Sequence, residues 1–412
     1  MIAYHFPPLA GSSGIQRTLR FVQHLPTLGW MPIVLTAHPR AYEATSDDLL
    51  GEVPRDVLVE RALAFDTARH FSLFKRYPMF LARPDRWLSW KWGAIPAGIR
   101  LIRRHQPAAI WSTYPIATAH VIAAELQRRS GLPWIADFRD PMAQEGYPAE
   151  RKTWQQFKEI EETAVRHAAC SVFVTRSAAR MYRERYDARD PSRLVVIENG
   201  YDEESFAACE GTAAKSGPLH PGRITLLHSG IVYPSERDPT QLFGALGRLK
   251  QQDRSATSSF RVRFRAAIHD VLLKRLAEKH DVADFVEILP AIPYRDALQE
   301  MLRADGLLVM QASNCNEQIP AKVYEYLRAA RPILALTDPG GDTADLIRRA
   351  GFSTIAPLDS QDEITIALGR FLEDLRAGTA QRSPHAFVAS ASRRSRSEQL
   401  ASLLNEVVSK RS

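Results

Sequence analysis

The sequence predicts an α/β fold that consists of two doubly wound domains. The pattern of a strand, a loop with Gly and Ser, and a helix occurs at residues 2–25 and again from residue 223 onward. Short apolar runs alternate with helical patterns through much of the chain, which is typical of parallel sheets covered by helices. A length of 412 residues suits two domains of ordinary size. We therefore expect two parallel sheets with ligand sites at the carboxyl ends of their strands.

The N-terminal half opens with a predicted short strand at 2–6 and a helix with Ile15 and Leu19 on its apolar face. Gly11 and Gly14 lie in the loop between them. These glycines would let a ligand approach the backbone at the helix N-terminus, although an ordinary tight turn has the same composition. Because the first strand is so short, we expect either that the natural start lies upstream or that the strand is clipped.

The other strands of this half are predicted at 32–36, 108–112, 133–140 with its exit loop, 171–175 and 194–197. Two of the loops that follow these strands carry polar side chains. Tyr114 lies in one, and the other contains Asp-Phe-Arg139-Asp140. An acidic and basic cluster at a strand end can bind a polar ligand, but an internal Arg–Asp pair that makes the loop rigid is an equal alternative. We expect Tyr114 and Arg139 on the acceptor side of a site.

In the C-terminal half, a strand at 223–228 precedes Ser229 and Gly230. Arg237 stands just before the next helix, where it could bind an anionic group, and a solvated arginine is the alternative. Later strands are predicted at 261–266, 286–289, 306–310 and 333–336.

The most informative stretch surrounds a helix that Pro320 begins and that should end before Arg331. Glu317 precedes this helix, Lys322 lies in its first turn and Glu325 lies inside it. Backbone amides and Lys322 could hold a diphosphate, and the carboxylates could accept hydrogen bonds from sugar hydroxyls. A surface helix with a solvated glutamate is the alternative.

Two glutamates separated by seven residues at such a helix resemble the donor-site motif of retaining GT-B glycosyltransferases, in particular family four. The resemblance implies that Glu325 binds the ribose hydroxyls and that Glu317 lies near the transferred sugar. It also implies that the loop at Ile292 contacts the base. Asp-Phe-Arg-Asp-Pro is similar to a stretch in one branch of the family, so Asp140 is expected to be catalytic together with Glu317.

The opening of the chain is also similar to family four, because a Pro-Pro pair and a glycine loop precede a helix that bears Arg17. The sequence departs from the family at two points. Ile231 stands where a basic residue usually follows the glycine, and the loop 112–115 lacks the histidine that faces the acceptor in many members. His120, in the next helix, is expected to be packed.

The resemblance implies a GT-B architecture, in which two Rossmann-like doubly wound domains face a cleft. We predict an N-terminal acceptor-side domain at 1–206, a linker at 207–222 and a C-terminal nucleotide-sugar-binding domain at 223–384. A terminal helix within 396–412 is expected to pack back on the first domain.

The net charge of +7 and the pI of about 9.3 favour an anionic partner. No nucleic-acid recognition module is visible, so we expect no nucleic acid. Residues 71–106 are aromatic and basic and include Trp87, Trp90 and Trp92. Tryptophan with Lys and Arg is typical of a helix in a membrane interface, and tryptophans packed in the core are the alternative.

Three scattered cysteines fit a reducing cytoplasm and argue against a zinc site. No signal peptide or membrane-spanning run is visible in the sequence. We therefore expect a cytoplasmic protein that binds peripherally to the inner face of the cell membrane.

The expected function is sugar transfer, with retention, from a nucleotide-sugar to a saccharide or lipid-linked acceptor in bacterial surface or exopolysaccharide synthesis. No cofactor or metal is expected, because Arg237, Lys322 and helix N-termini would neutralise the diphosphate. The alternatives are a GT-B epimerase or phosphorylase, and a non-catalytic GT-B scaffold, which the isoleucine after Gly230 keeps open. The donor base and sugar are not predicted.

Overall fold

The computed structural model describes residues 1–12, 14–72, 76–77, 79–144, 146–187, 190–252 and 259–410. The chain forms two compact units. The first unit contains Met1–Asn199 and Arg393–Ser412, and the second unit contains Gly200–Ser392. Each unit is an α/β domain with parallel strands.

The strands of the first unit are β1 (Ile33–Ala37), β2 (Leu58–Ala62), β3 (Ile110–Thr113), β4 (Trp134–Arg139), β5 (Cys170–Phe173) and β6 (Leu194–Val196). Its helices up to this point in the chain are α1 (Ile15–His24), α2 (Thr67–His70), α3 (Trp90–His105), α4 (Thr118–Ser130), α5 (Arg151–His167) and α6 (Arg176–Arg185). Pairing is parallel throughout, in the orders β2-β1 and β3-β4-β5-β6.

The N-terminal segment joins these two groups of strands. Ile2 forms parallel bridges with Leu35 of β1 and Ser112 of β3. Its amide donates to the Trp111 carbonyl at 2.7 Å, and the Leu35 amide donates to the Met1 carbonyl at 2.8 Å. The strand predicted at 2–6 is therefore confined to the residues around Ile2. Strands β3, β4 and β5 are buried along nearly their whole length, as is typical of the central strands of a parallel sheet.

The second unit contains the strands β7 (Ile224–Ser229), β8 (Phe260–Arg265), β9 (Val286–Leu289), β10 (Gly306–Gln311), β11 (Ile333–Thr337) and β12 (Ile355–Ala356). Its helices are α7 (Glu203–Ser216), α8 (Thr240–Gln252), α9 (Asp270–Lys279), α10 (Tyr294–Arg303), α11 (Lys322–Arg328), α12 (Asp342–Arg349), α13 (Gln361–Ala377) and α14 (His385–Ser390). The strands pair in parallel in the order β12-β11-β10-β7-β8-β9. This is the order of a Rossmann-type sheet, in which the chain changes direction between β7 and β10.

The boundary between the units differs from the prediction. The chain divides at Asn199, and residues 207–216 of the predicted linker belong to α7. Their small side chains suggested a linker, but α7 is a helix whose Phe206, Cys209 and Ala213 are buried.

The last helix, α15 (Arg393–Ser409), lies in the first unit. Its Leu400 and Leu404 share an apolar cluster with Phe21 of α1 and with Leu25. Within the described ranges, no helix is both long enough and apolar enough to cross a lipid bilayer.

Candidate functional site

The crossover point of the second sheet defines a candidate site. Strands β7 and β10 are neighbours, and the connections that leave their carboxyl ends run to opposite sides of the sheet. Ser229 ends β7 and Gly230 follows it, and Gln311 ends β10. Such a crevice is where doubly wound domains bind their ligands. The predicted residues Ser229 and Gly230 thus lie at the position where a ligand is expected.

Lys322 reaches this crevice from the start of α11. Its Nζ lies 3.2 Å from Nε2 of His228, the residue before Ser229. Gly230 has a φ of +115°, and a Cβ added there would come within 2.9 Å of the Lys322 Nζ. The position after β7 therefore needs glycine for two reasons, its backbone conformation and the space that the lysine occupies.

His228 is fully buried, and its Nδ1 lies 2.9 Å from the carbonyl oxygen of Leu308 on β10. Burial lowers the pKa of His228 well below its usual value, and the neighbouring Lys322 lowers it further. The ring is therefore neutral at physiological pH. Because a carbonyl can only accept, Nδ1 carries the proton and Nε2 is left as an acceptor for Lys322.

Lys322 itself has an altered pKa. Loss of solvent lowers the pKa of its ammonium to about 7, Arg237 lowers it further and Glu325 opposes the shift. A lysine with this pKa is poised to gain a proton when an anion arrives, because a nearby negative charge favours the ammonium form.

A tyrosine fixes α11 to the end of β7. The amide of Ser229 donates to the hydroxyl oxygen of Tyr326 at 2.8 Å, and Tyr326 is buried. The helix predicted at 320–330 is shorter in the structure, Lys322–Arg328, and it begins two residues later. Tyr326 explains why the first turn of this helix is held at the crevice.

Arg237 lies in the loop between β7 and α8. Its Nη1 donates to the Ile231 carbonyl at 3.3 Å, and its guanidinium stacks over the Tyr233 ring at 5.2 Å. The charge of Arg237 lowers the pKa of Lys322, as expected of two cations in the same part of the site. The predicted pair Arg237 and Lys322 is thus brought together by the second unit.

Glu325 has a partner that the sequence did not suggest. Its Oε1 accepts a hydrogen bond of 2.8 Å from the hydroxyl of Tyr294. Tyr294 begins α10 directly after the loop that contains Ile292, so this loop and Glu325 lie side by side. The Pro290 carbonyl at the start of the loop accepts a 2.8 Å hydrogen bond from Arg265 Nη1. The sequence analysis did not single out Tyr294.

Glu317 is half-buried in the segment between β10 and α11. Gln311 holds that segment, since its Nε2 donates to the carbonyls of Cys315 at 2.8 Å and Gln318 at 2.9 Å. Burial raises the pKa of Cys315 to about 11, with Glu317 contributing and Arg237 opposing. The loop that contains Glu317 also contacts the segment before Arg237, because the Ala312 amide donates to the Glu236 carbonyl at 2.7 Å and Asn314 Nδ2 donates to the Ser235 carbonyl at 3.0 Å.

The first unit gathers a separate group of predicted residues. Arg139 Nη1 donates to the Gly14 carbonyl at 2.9 Å, and Ser12 Oγ lies 3.0 Å from Nδ1 of His5. A Cβ on Gly14 would clash with the His5 ring, which explains the glycine there. Gly11 has a φ of +75° but open space around it, so its role is conformational. His5 is a member of this cluster that sequence reasoning missed.

One buried Arg–Asp pair of the first unit joins residues of two different elements. Asp137 is buried and accepts from Arg17 at 3.0 Å and 2.9 Å, and from Thr113 Oγ1 at 2.9 Å. Arg17 also donates to the carbonyls of Ile197 and Glu198. The pair joins α1 to β4 over a long sequence separation rather than bracing the Asp137–Asp140 loop from within. Arg17 is therefore a structural residue in this unit.

The remaining acceptor-side candidates lie in different environments. Asp140 is half-buried directly after Arg139, which has a φ of +60°. Tyr114 is buried, with its ring edge-on to Phe157 at 6.2 Å. The structure thus makes Tyr114 a packing residue, because its ring fills the apolar core. His120 is buried as expected, and its Nδ1 lies 2.8 Å from Ser112 Oγ.

In the described part of the chain, no group of three or more His, Cys, Asp or Glu side chains is arranged to hold a metal ion. The positive charges that converge at the crevice are those of Lys322 and Arg237.

Comparison with known proteins finds a family model that matches part of the chain. Residues 13–200 match the glycosyl transferase 4-like domain. No curated protein sequence matches the chain significantly.

Several solved structures share the fold over nearly the whole chain. A sucrose-phosphate synthase from Thermosynechococcus elongatus is 13% identical with a TM-score of 0.70, and the match covers 99% of each chain. HepE from Anabaena, solved with UDP-glucose, is 12% identical with a TM-score of 0.59, over 99% of this chain and 98% of that chain. WaaG, a glycosyltransferase involved in lipopolysaccharide biosynthesis, is 14% identical with a TM-score of 0.62, over 98% and 99%.

At these identities the structural matches establish the fold, and the sequence match establishes the domain type. The two Rossmann-like domains expected from the sequence are confirmed. Residues 13–200 thus match a glycosyl transferase 4-like domain, and the chain as a whole has the GT-B fold.

Proposed function

We propose that this protein transfers a sugar from a nucleoside-diphosphate donor to a saccharide acceptor. The observation that carries the proposal is the position of Lys322 Nζ above Gly230, at the crossover of β7 and β10 and close to Arg237. A diphosphate is anionic, so two cations beside a glycine at this point of a Rossmann-type sheet could bind it. The similarity in fold to HepE, which was solved with UDP-glucose, supports a nucleotide-sugar.

Five of the predicted site residues have a proposed role toward the donor. Lys322 and Arg237 neutralise the diphosphate, so no metal is required. Glu325 accepts hydrogen bonds from the ribose hydroxyls, and the loop with Ile292 flanks the base. Glu317 lies near the transferred sugar. These assignments rest on the family resemblance and on the shared position of Lys322, Arg237 and Glu325 in the second unit.

We propose that transfer retains the configuration at the anomeric carbon. The bond from that carbon to the diphosphate oxygen breaks as the acceptor oxygen bonds to the carbon on the same face. The acceptor hydroxyl gives its proton to the departing phosphate oxygen, so no protein base is needed. Lys322 and Arg237 would stabilise the negative charge that develops on this oxygen. Asp140 and Arg139, in the first unit, are the proposed acceptor-side residues.

The acceptor is proposed to be lipid-linked, with the protein at the inner face of the cell membrane. Support comes from the aromatic and basic segment 71–106, where Phe80 is 70% exposed and Trp92 is 57% exposed. Lys91 Nζ lies 5.7 Å from the Trp92 ring centroid. Trp90, in contrast, is fully buried, so the segment combines a core face with an exposed face. Phe74, also part of this prediction, lies outside the described residues.

The decisive experiment is a screen of nucleotide-sugars for binding and for slow donor hydrolysis, with and without EDTA. Binding and hydrolysis of at least one donor, unaffected by EDTA, are expected. Interconversion of the donor sugar without an acceptor would instead indicate an epimerase. Binding without any turnover, even with saccharide acceptors present, would indicate the non-catalytic scaffold.

A further inference from the structure

His228 is the buried group of the candidate site that the proposed function leaves without a role. It is fully buried on β7, directly before Ser229 and Gly230 of the crevice. A buried imidazole needs partners for both ring nitrogens to offset its desolvation. His228 has both, since Nδ1 faces the Leu308 carbonyl at 2.9 Å and Nε2 faces Lys322 Nζ at 3.2 Å.

The two contacts have different functions. The contact with Leu308 fixes the tautomer, because a carbonyl accepts only from a protonated nitrogen. In the contact with Lys322, Nε2 of His228 then accepts a hydrogen bond from the ammonium. The Lys322 Nζ also lies close to Gly230, since a Cβ added to this glycine would come within 2.9 Å of it. The arrangement resembles the way in which an outer hydrogen bond orients a ligand-binding side chain.

We propose that His228 is a positioning residue, which holds the Lys322 ammonium over Gly230 so that it meets the diphosphate of a nucleotide-sugar without reorganisation. The inference rests on the proposed function, since it names how the same site orders its cation. A lysine has many rotamers, and fixing them before binding reduces the entropy lost when the ligand arrives. Three groups from separate elements face the Lys322 ammonium: His228 of β7, Arg237 of the following loop and Glu325 of α11.

Two variants separate positioning from a merely structural role. His228→Asn can keep the donor to the Leu308 carbonyl, because its amide lies near the place of Nδ1, but it loses the acceptor for Lys322. His228→Gln can keep an acceptor near the place of Nε2. Calorimetry measures the affinity for UDP-glucose, or for whichever nucleotide-sugar binds the wild type best in the screen. The affinity for the matching nucleoside is measured in parallel.

We expect His228→Asn to bind the nucleotide-sugar about tenfold more weakly, because one hydrogen bond to a charged group is lost. The affinity for the nucleoside should be unchanged. His228→Gln should recover most of the loss. In a Lys322→Met background, His228→Asn should have no further effect, because the residue acts through the lysine. Each of these results supports the proposal.

Three results would overturn it. One is wild-type affinity in His228→Asn. Another is an equal loss in the Asn and Gln variants accompanied by an equal drop in melting temperature, which would make the role structural. The third is an additive loss in the Lys322→Met background. A wild-type protein that binds no nucleotide-sugar in the panel defeats the proposed function itself, so the two failures are distinguishable.

Discussion

Tyr294 donates a 2.8 Å hydrogen bond to Oε1 of Glu325, which joins the first residue of α10 to the middle of α11. The two residues are separated by 31 positions in sequence and come from different connections of the same sheet. The contact brings the loop that contains Ile292 next to the carboxylate proposed to bind ribose. It gives the nucleoside end of the site a definite geometry that can be tested.

Glu325→Ala should weaken binding of both nucleoside and nucleotide-sugar. A carboxylate that accepts from ribose hydroxyls contributes about 1.5–3 kcal/mol, the range for hydrogen bonds to charged groups. Tyr294→Phe is the matched control, because it removes only the hydroxyl. This variant should lose less than about 1 kcal/mol of binding free energy, because the partly exposed Glu325 carboxylate can form a hydrogen bond with water instead. Calorimetry measures both, and unchanged affinity in Glu325→Ala would contradict the ribose assignment.

Nucleotide-sugar binding should depend on pH through Lys322. Its pKa in the free protein is lowered to about 7, and a bound diphosphate would raise it. Binding therefore takes up a proton, so affinity is greatest below about pH 7 and falls as the pH rises through that value. The Lys322→Arg variant keeps its positive charge over this pH range, so its affinity should depend less on pH. Calorimetry in buffers of different ionisation enthalpy measures the proton uptake directly, and its absence at pH 8 would contradict the prediction.

Gly230→Ala should impair diphosphate binding more than folding. A Cβ at this position would come within 2.9 Å of the Lys322 Nζ. The lysine side chain can move aside, but its ammonium would then no longer lie over residue 230. The φ of +115° adds strain of about 1–3 kcal/mol. Gly211→Ala in α7, where a Cβ meets nothing within 4 Å, is the control and should stabilise the helix by about 0.5–1 kcal/mol. Nucleotide-sugar affinity retained in Gly230→Ala would show that Lys322 does not bind there.

The tryptophans of segment 71–106 should fall into two classes. Trp90→Ala should lower the free energy of unfolding by about 3–5 kcal/mol, because the side chain is fully buried. Trp92→Ala should change it by less than about 0.5 kcal/mol, because the side chain is largely exposed. Denaturant unfolding measures both effects.

The same exposed side chain tests the membrane proposal. Wild-type protein should sediment with anionic vesicles more than with neutral ones, and salt should weaken the binding by screening. Trp92→Ala combined with Phe80→Ala should reduce sedimentation while leaving the melting temperature and nucleotide binding unchanged. Undiminished vesicle binding by this double variant would exclude the segment as the membrane contact.

Much of the architecture could be predicted because apolar runs and helix signals are local. The strands predicted at 306–310 and 333–336 coincide with β10 and β11, since buried parallel strands require continuous apolar residues. The predictions at 261–266 and 286–289 also overlap with strands, β8 and β9. The elements that escaped were those with weaker patterns. Strand β2 is only partly buried, and α7 consists of small residues that also suit a linker.

The sequence by itself determined the two Rossmann-like domains and the motif residues Gly230, Lys322 and Glu325, because each rests on a local pattern. Only the tertiary structure decided the partners of the site residues. His228 and Lys322 are 94 positions apart, and Arg17 and Asp137 are 120 positions apart. No periodicity or spacing encodes such pairs. They form because a parallel sheet brings the carboxyl ends of distant strands to one edge, where buried polar groups must find hydrogen-bond partners.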